Sequence, residues 1–514
     1  MRNIVPIIIV SFWIILHCSC NLGTGMIDQP EEQPPVPYFP PADVPGVASG
    51  VEYFVSPTGT SSGSGSAASP FSLEYAFSGA GNTILPGDIV WIQEGTYLGK
   101  YDITVSGTKD KPIVFRAIDG ARVILDSNGG VGKEKSYTIG LGTPDSLVAD
   151  YIWIWGLEVT SSDENRYPGT KANGRGGIGV VRGEGIRIIN CIVHDAAGGV
   201  DAWKSAKEIE IYGCLLFNNG WIEADRGHGH GNYMQSYKGN RKTFAESIMF
   251  NNFGNFGHHV YGGTSADLFD FTLAGNFHCD NGLLFGGNSS SVCRAGTIAI
   301  CEEMTYRAGV IIGYWDSPNK DVLLKDNYFA SNLSLKFWHK AFLTDNTFLA
   351  DITIVPTKGI PLNDQIIAQG NLYPYRITID GGQTYDLAGW QASGQDPTGK
   401  RAAKTNRVFI RPNRYEKGRA HIFVYNWEKH SSIALDLSLT GLKIKENFEI
   451  RNAFDYNGTP VYSGTYTGNI SLEMREDYSY VKPLGSHTLT TADQDKYIRT
   501  HPGREFGAFV LVKK

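Results

Sequence analysis

The residues of this chain best suited to acid–base chemistry are concentrated between Glu223 and Tyr261. Four of the twelve histidines lie in this stretch: His228 and His230 are separated by one glycine, and His258 and His259 are adjacent. Histidine titrates near neutral pH, so it can serve as a general acid, a general base or a metal ligand. Glycine lets the backbone turn sharply and approach other groups closely. The stretch is therefore the candidate centre of a catalytic or binding site.

The four histidines are predicted to have different roles. His230 is interpreted as an acid–base or substrate contact, with a metal ligand and a structural turn residue as open alternatives. A zinc site needs a third protein ligand, and the sequence around His228 and His230 shows none. On alternating strand geometry, His259 is expected to face outward and His258 to point inward as a buried hydrogen-bonding residue. We predict no cofactor, and calcium stays open with no ligands assigned.

These residues need a scaffold, and a repeat of roughly twenty to thirty residues surrounds them. Strands with apolar alternation recur with an Asn or Gly at a fixed place, as in Asn190 and Gly213, 23 residues apart, and Asn327 and Asn346, 19 apart. Strand-sized apolar runs without intervening helices predict stacked parallel strands, an all-β solenoid. The alternative, a sandwich of hairpins, requires two-residue turns such as Asn-Gly, which are mostly missing.

The beginning of the repeat carries a further signal. A strand at 53–59 and an amphipathic helix at 72–78 precede Pro86-Gly87-Asp88-Ile89-Val90-Trp91-Ile92 and Gly95-Thr96-Tyr97. This opening, residues 53–116, resembles the N-terminal part of the right-handed parallel β-helix proteins of the pectate-lyase-like superfamily. The resemblance implies a right-handed parallel β-helix with an N-terminal capping helix. It also implies a carbohydrate-active protein, because that superfamily contains lyases, hydrolases and epimerases.

Glycine-led strands indicate which side chains face outward, because side chains alternate along a strand. Aligning the strands places Asp201, Tyr233 and His259 in one row, here called the first row. Trp203, Gln235 and Tyr261 form the second row beside it. Neighbouring strands are about 4.8 Å apart, so each row can act as one site. The predicted catalytic residues are Tyr233, His259, His230 and Asp201, and the predicted substrate-binding residues are Trp203, Gln235, Tyr261, Arg226, Lys336 and Trp338.

Three functions compete for this face. In a lyase that cleaves a uronate-containing polysaccharide by β-elimination, Tyr233 and His259 share the base and acid roles. Positive charge for an anionic polymer would come from Arg226, Lys238, Arg241, Lys242 and Lys336. In a glycoside hydrolase, Asp201 would act with Asp225 or Glu223, since two carboxylates must flank the bond. The third possibility is a non-catalytic glycan-binding or adhesin solenoid. The lyase is our preferred hypothesis.

The ends of the chain predict its location and domain organisation. Residues 1–20 form a signal peptide whose end, His17-Cys18-Ser19-Cys20, resembles a bacterial lipobox and implies lipidation of Cys20. Residues 21–50 form a disordered tether. The β-helix is predicted over 51–380, a linker with a short helix over 381–405, and a small antiparallel β-sandwich over 406–514. This sandwich resembles the C-terminal β-domains of carbohydrate-active enzymes and would either bind sugar or brace the helix.

Composition is that of a globular protein with a large core. Apolar residues make up 41% and charged residues 19% of the chain, and the 61 glycines among 514 residues exceed the usual level of about 7%. A net charge of −6 gives no reason to expect nucleic acid as a partner. The expected partners are a polysaccharide and, through the lipid anchor, a membrane of the bacterial cell envelope. The protein is expected to be a monomer.

Cys191 and Cys214, one coil apart, form either a disulfide or two buried thiols.

The lipobox gives the first testable prediction. Metabolic labelling with a fatty-acid analogue should mark the wild-type protein and leave Cys20→Ala unlabelled, because the thiol of Cys20 is the expected attachment point. The matched control is Cys18→Ala, which should label like the wild type. Equal labelling of Cys20→Ala and the wild type would contradict lipidation at this residue.

Overall fold

The computed structural model describes residues 50–127, 136–143, 148–163, 176–222, 227–254, 256–262, 268–287, 297–314, 319–485 and 499–514. The predicted signal peptide, Cys20 and nearly all of the tether lie outside the described residues, so the predictions made for them stay predictions. Within the described part of the chain, no helix is long and apolar enough to cross a membrane.

Short strands stack into three long sheets, and the chain passes through the first, second and third sheets in each coil. The first sheet contains Glu52–Val55, Ile89–Ile92, Ile113–Ala117, Ile152–Trp155, Arg187–Ile189, Ile209–Tyr212, Lys242–Ala245, Phe271–Ala274, Thr297–Cys301, Asn319–Lys325, Trp338–Thr344 and Ile366–Gln369. The second contains Gly95–Leu98, Val123–Asp126, Glu158–Thr160, Ile192–His194, Leu215–Phe217, Ile248–Phe250, Phe277–Cys279, Met304–Tyr306, Tyr328–Phe329, Thr347–Phe348, Leu372–Tyr373 and Lys400–Arg401.

The third sheet contains Tyr101–Ile103, Tyr137–Leu141, Gly176–Val180, Gly198–Ala202, Asn232–Met234, Phe256–Gly262, Gly282–Gly287, Val310–Ile312, Leu333–Lys336, Ile352–Val355, Ile377–Ile379 and Thr384–Tyr385. All pairings within the three sheets are parallel except the last one, between Ile377–Ile379 and Thr384–Tyr385. Two small pairs are added at the turns, Gly183–Glu184 with Ala206–Lys207 and Trp221–Ile222 with Gly227–His228. The predicted parallel β-helix is confirmed by this arrangement.

In the described part of the chain, three short helices accompany the solenoid: Leu73–Phe77, Leu362–Gln365 and Leu387–Ala392. The first is capped by Ser72, whose hydroxyl accepts a hydrogen bond from the backbone N–H of Tyr75. It buries Leu73, Ala76 and Phe77 against the first coils, as expected of a capping helix.

The corner between the first and second sheets is built alike in successive coils. A residue with positive φ makes the sharp bend, as at Asn190, Gly213, Glu246, Gly275, Glu302, Asp326, Asp345 and Gly370. The next side chain fills the corner, and from Ser247 onward these side chains are polar. Asn327 Nδ2 donates to Asn346 Oδ1 over 2.7 Å, and Asn346 Nδ2 donates to Asn371 Oδ1 over 2.8 Å. This ladder satisfies buried backbone groups that no sheet pairs.

Cys191 and Cys214 occupy two positions of this same corner. Their thiols are free and buried, and each Sγ donates to the carbonyl two residues before it over 3.4 Å. Ser247 makes the same contact in the next coil, with its hydroxyl donating to Ala245 O over 3.0 Å. Of the two alternatives for Cys191 and Cys214, the structure therefore has the buried thiols.

After the solenoid, the chain forms a C-terminal β-domain. Its larger antiparallel sheet contains Arg407–Pro412, Arg419–Tyr425, Asn447–Asn452, Tyr462–Thr465 and Phe506–Lys513. The smaller sheet pairs Ser432–Leu435 with Ile470–Glu473, and short 3₁₀ helices occupy Ser438–Thr440, Ala453–Asp455 and Gly503–Glu505.

The C-terminal β-domain covers the second sheet and part of the first. Phe277 of the second sheet stacks on Phe423 and Phe506, each at a ring-centroid distance of 4.9 Å. Toward the first sheet, Arg411 forms ion pairs with Glu246 and Glu302, the latter over 2.7 Å. These contacts hold the C-terminal β-domain against the solenoid. The first and second rows lie elsewhere, on the outward face of the third sheet.

The alternation of side chains along the strands predicts that Ile188, Ile211 and Ile248 point inward as core residues, and all three are buried, each 0% exposed, but not all in the same place. Ile188 and Ile211 point into the solenoid and belong to its main hydrophobic cluster. Ile248 packs instead in the cluster between the second sheet and the C-terminal β-domain. The assignment of Ile248 to the solenoid interior is therefore wrong, because its strand turns that side chain outward under the domain.

Burial of Ile211 leads to a stability prediction. Ile211→Asp should lower the free energy of unfolding by several kcal/mol, because it places a carboxylate in the apolar interior of the solenoid. Ser205→Asp, an exposed position in the same coil, is the control and should change stability by no more than about 0.5 kcal/mol. Urea denaturation measures both variants. A soluble Ile211→Asp with the wild-type midpoint would contradict this position for the side chain.

Candidate functional site

The first row exists as predicted. Asp201, Tyr233 and His259 lie directly opposite one another on three adjacent parallel strands of the third sheet. The inward neighbours Val200, Asn232 and His258 are all 0% exposed, whereas the three row residues are half-buried and reach the surface. The alignment is thus confirmed, and the catalytic roles of these residues stay predictions.

Glycines at the beginning of these strands are required by a second ladder of asparagines. This ladder fills the corner between the second and third sheets: Asn219 Nδ2 donates to Asn252 Oδ1 over 2.9 Å, and Asn252 Nδ2 donates to Asn281 Oδ1 over 3.1 Å. A Cβ at Gly231 would lie 2.7 Å from Asn252 Nδ2, and one at Gly257 would lie 2.6 Å from the Cβ of Asn281. Side chains at these positions would displace the ladder.

Tyr137, which sequence reasoning missed, connects the two rows. Its phenol donates to Asp201 Oδ2 over 3.1 Å, and Trp203 Nε1 donates to the same phenol oxygen over 2.7 Å. The ring lies across the intervening strand, where a Cβ at Gly176 or Gly179 would overlap it. Two glycines at outward positions of one strand are the signal that could have indicated a neighbouring ring above them.

The surroundings of Asp201 alter its acidity. Burial raises the pKa of Asp201 to about 7, although the hydrogen bond from Tyr137 acts in the opposite direction. The carboxyl group is therefore partly protonated at neutral pH. Trp203 has a structural part in this arrangement, because its indole N–H fixes the phenol that holds Asp201.

The hydrogen bonds of His230 and His259 set their tautomers. His230 Nδ1 lies 2.7 Å from Phe256 O, and a carbonyl only accepts, so Nδ1 carries the proton. In the neutral state, His230 Nε2 is then the acceptor for His259 Nδ1, 2.7 Å away. His259 Nε2 consequently holds the lone pair of that ring. The two hydrogen bonds that link Phe256, His230 and His259 therefore place a basic nitrogen on the first row.

A β-bulge lies next to this series of hydrogen bonds. Along the strand Phe256–Gly262, Phe256 lies opposite Gly282 and His258 lies opposite Leu283, so Gly257 is one extra residue. Bulges of this kind redirect the backbone and are frequent near functional sites. Here the bulge lies at the position where Phe256 O accepts the hydrogen bond from His230.

Tyr233 is central to an aromatic cluster. Its ring is edge-on to His259 at 5.4 Å and lies 5.6 Å from Trp203. Gln235 Nε2 donates to the Tyr233 phenol over 2.8 Å, and burial raises the Tyr233 pKa to about 12. Tyr261 continues the cluster, 5.0 Å from His259. The two rows are thus one continuous patch of rings rather than separate residues.

His258, behind the first row, points inward as predicted. It packs against Phe244 with ring centroids 4.6 Å apart, and burial holds its pKa well below the usual range. Neither ring nitrogen has a hydrogen-bond partner among the described residues, so the expectation of a hydrogen-bonding residue is wrong.

Trp338 and Lys242 correct two further expectations. Trp338 is only 2% exposed and donates from Nε1 to Ile312 O over 3.0 Å. The positive φ of Phe337 ends the third-sheet strand, so Trp338 begins the next first-sheet strand and cannot bind substrate on the outward face. Lys242 is buried, with Nζ 2.5 Å from Ala206 O, and burial lowers its pKa to about 7, so it supplies no surface charge.

The other cations proposed to bind an anionic polymer do not lie together in the two rows. Lys336 is half-buried in line with the second row, three strands beyond Tyr261, which corresponds to about 14 Å. Arg241 is paired with Glu208 over 3.6 Å in the turn after the site strand. Arg226, together with Glu223 and Asp225, lies outside the described residues.

The donor set does not fit a metal. Within the described residues, no group of three or more His, Cys, Asp or Glu side chains is arranged to hold a metal ion. Calcium takes six to eight oxygen ligands. Asp201 is the single carboxylate in the two rows, and its Oδ2 already accepts from Tyr137. The described residues of the two rows therefore do not fit calcium.

Comparison with known proteins agrees with the architecture. Residues 53–199 match the family model described as Pel9A-like, right handed beta helix region. None of the curated proteins matches the chain. The chain is a right-handed parallel β-helix protein, and its matched segment is similar to the helix region of that family.

Solved structures of the same fold are distant in sequence. Pectate lyase Pel9A is 14% identical, with 65% of this chain and 78% of that chain covered and a TM-score of 0.34. A rhamnogalacturonan lyase is 14% identical, with coverages of 63% and 87% and a TM-score of 0.39. An alginate lyase from Paenibacillus sp. str. FPU-7 is 16% identical, with coverages of 64% and 99% and a TM-score of 0.33.

The overlap between Gly179 and the Tyr137 ring yields a prediction. Gly179→Ala should destabilise the protein by about 1–3 kcal/mol, because the added methyl forces the ring away from Asp201 and Trp203. Gly309→Ala, just before the third-sheet strand Val310–Ile312, is the matched control, since a Cβ there meets nothing within 4 Å. In a Tyr137→Ala background, Gly179→Ala should cost less. Urea midpoints that are equal for the two glycine variants would contradict the arrangement.

Proposed function

We propose that this chain is a polysaccharide lyase that cleaves a uronate-containing polymer by β-elimination. The observation that carries the proposal is the edge-on contact of Tyr233 with His259, whose tautomer is set by His230 and Phe256. A titratable pair of this kind supplies both a base and an acid to one substrate. The match of residues 53–199 to a Pel9A-like helix region is in keeping with a polysaccharide substrate.

His259 is assigned as the base. In the neutral histidine pair its Nε2 carries the lone pair, and the hydrogen bond from its Nδ1 to His230 stabilises the imidazolium formed when Nε2 takes a proton. His230 is thus a positioning residue that orients His259 and shares the charge. Phe256 O stabilises that charge further by accepting from His230 Nδ1.

Tyr233 is assigned as the acid. Burial raises its pKa to about 12, so the phenol is protonated throughout the neutral range. The amide of Gln235 already donates to the phenol oxygen, so the phenolic proton points elsewhere, toward a bound leaving group. A hydroxyl in this state gives a proton readily only to a group that is becoming strongly basic.

The elimination transfers one proton to His259 and one proton from Tyr233. His259 Nε2 removes the proton from the carbon that bears the uronate carboxylate. The released electron pair forms a carbon–carbon double bond with the adjacent carbon, whose bond to the glycosidic oxygen breaks. Tyr233 donates its proton to that oxygen and later recovers one from solvent, to which the His259 imidazolium releases the proton that it took. The products are a new chain end and an unsaturated uronate.

Binding is assigned to the aromatic part of the patch. Trp203, Tyr233 and Tyr261 present ring surface along successive coils, which suits stacking against successive sugar rings. Tyr314 lies 6.2 Å from Tyr261 and extends the surface further along the solenoid. A polymer would accordingly lie along the solenoid axis, across the strands.

A glycoside hydrolase is the second candidate, favoured by one observation. The Asp201 pKa of about 7 would let its carboxyl group act as a proton donor near neutrality. Hydrolysis also requires a second carboxylate at about 5–10 Å. The candidates for that role, Glu223 and Asp225, lie outside the described residues.

A substrate panel separates the candidates. Purified protein is incubated with uronate polymers and with neutral polysaccharides, and two signals are followed: ultraviolet absorbance of unsaturated uronate ends and release of reducing ends. Both signals together support the lyase. Reducing ends without the absorbance support the hydrolase, and binding without either signal supports a glycan-binding solenoid at the cell envelope.

Substitutions test the assignments. His259→Ala and Tyr233→Phe should each lower turnover by about a hundredfold or more, because a general base or acid is removed. His339→Ala and Tyr375→Phe, at exposed positions away from the rows, are the matched controls and should keep wild-type turnover. Melting temperatures confirm that each variant is folded. If His259→Ala and Tyr233→Phe both keep full turnover on a cleaved substrate, this face is not the active site.

A further inference from the structure

We propose that Asp201, in its protonated form, is the residue that binds the carboxylate of the substrate, and this inference rests on the proposed lyase function. Removal of a proton next to a carboxylate places a second negative charge on that group in the transition state. A hydrogen-bond donor or a cation must therefore face the carboxylate. A protonated aspartate offers one O–H donor and carries no charge to repel the substrate.

The hydrogen-bond geometry fixes which oxygen would donate. The indole N–H of Trp203 is a donor only, so the phenol oxygen of Tyr137 must be its acceptor. The single phenolic proton of Tyr137 is then directed to Asp201 Oδ2. Because Oδ2 accepts this hydrogen bond and a carbonyl oxygen is the better acceptor of a neutral carboxyl group, we infer that its proton is on Oδ1. The network Trp203–Tyr137–Asp201 thus orients an acidic O–H in a single sense.

The position of Asp201 in the first row suits this role. It lies opposite Tyr233, which lies opposite His259, on strands about 4.8 Å apart. The carboxylate is attached to the same carbon that loses its proton, so its binding group must lie within a strand or two of the base. Lys336, the cation in line with the second row, is three strands beyond Tyr261, about 14 Å away.

The electrostatic surroundings favour the protonated form. Among the described residues, the titratable groups that face Asp201 are two neutral phenols: Tyr233 on the adjacent strand, and Tyr137 two strands away on the other side. The strand between Tyr137 and Asp201 contributes glycines, and burial raises the Asp201 pKa to about 7. An incoming carboxylate brings a like charge, which raises that pKa further. Binding of a uronate is therefore coupled to uptake of a proton.

The coupling between uronate binding and proton uptake predicts weaker binding at higher pH. Below about pH 7, Asp201 is already protonated and binding needs no proton. Above that pH the free enzyme must first gain a proton, so the KM for a uronate polymer should rise by about tenfold per pH unit. A neutral polysaccharide would not show this dependence. The site is thus expected to select uronates by a neutral donor rather than by a cluster of positive charges.

The test compares pH profiles of KM for wild type, Asp201→Asn and Asp201→Ala on the uronate polymer that the wild type cleaves. Asp201→Asn retains a neutral donor, so its KM should lose the rise above about pH 7. Asp201→Ala has no donor, and its KM should be raised at every pH. The inference is wrong if wild type and Asp201→Asn have the same slope, or if Asp201→Asn loses turnover a hundredfold at every pH.

A binding measurement on the wild-type protein tests the inference without depending on whether a variant folds. Wild-type protein is titrated calorimetrically with trigalacturonate and with trimannuronate, each in two buffers of different ionisation enthalpy, and galactotriose is the neutral control. Proton uptake that increases with pH is expected for a bound uronate and not for the neutral sugar. Cleavage of a uronate polymer with no proton uptake overturns this inference alone. Absence of both cleavage and binding overturns the proposed function, and the inference with it.

Discussion

The rest of the structure depends on how the corners of each coil are satisfied. Every coil must turn out of one sheet and into the next, which leaves backbone groups unpaired inside the solenoid. Asparagine ladders at two of the corners bond those groups and each other, as Asn252 does with Asn281 and Asn346 does with Asn371. Because each ladder residue contacts the coil before and after it, the coils are held in register. The rows on the outward face follow from that register.

The ladders also decide where side chains can be placed. Gly231 and Gly257 have to be glycines because asparagine side chains fill the space of a Cβ. Each outward residue that follows, Tyr233 and His259, is then carried at a fixed distance from its neighbour. The scaffold therefore gives these side chains little freedom beyond rotation about their own bonds, which is the condition for a preorganised site.

This dependence explains what the sequence could and could not predict. The glycine-led pattern reflects the ladder, so the first row and its inward neighbours could be aligned from the sequence alone. Tyr137 was missed because its contact with Asp201 crosses a whole strand, and its signal lies in the glycines of that strand rather than around Tyr137 itself. Trp338 was misplaced because a single left-handed residue, Phe337, ends the strand one position early. Lys242 was misjudged because a buried lysine paired with a carbonyl resembles a surface charge in sequence.

The bulge at Gly257 shows why one residue matters more than composition in such a site. The extra residue shifts the register between Phe256 and His258, and Phe256 O accepts from His230 Nδ1. That hydrogen bond determines which nitrogen of His230 can accept from His259, and hence which nitrogen of His259 is basic. The tautomer of the proposed base is therefore linked to an irregularity of the backbone two residues before it.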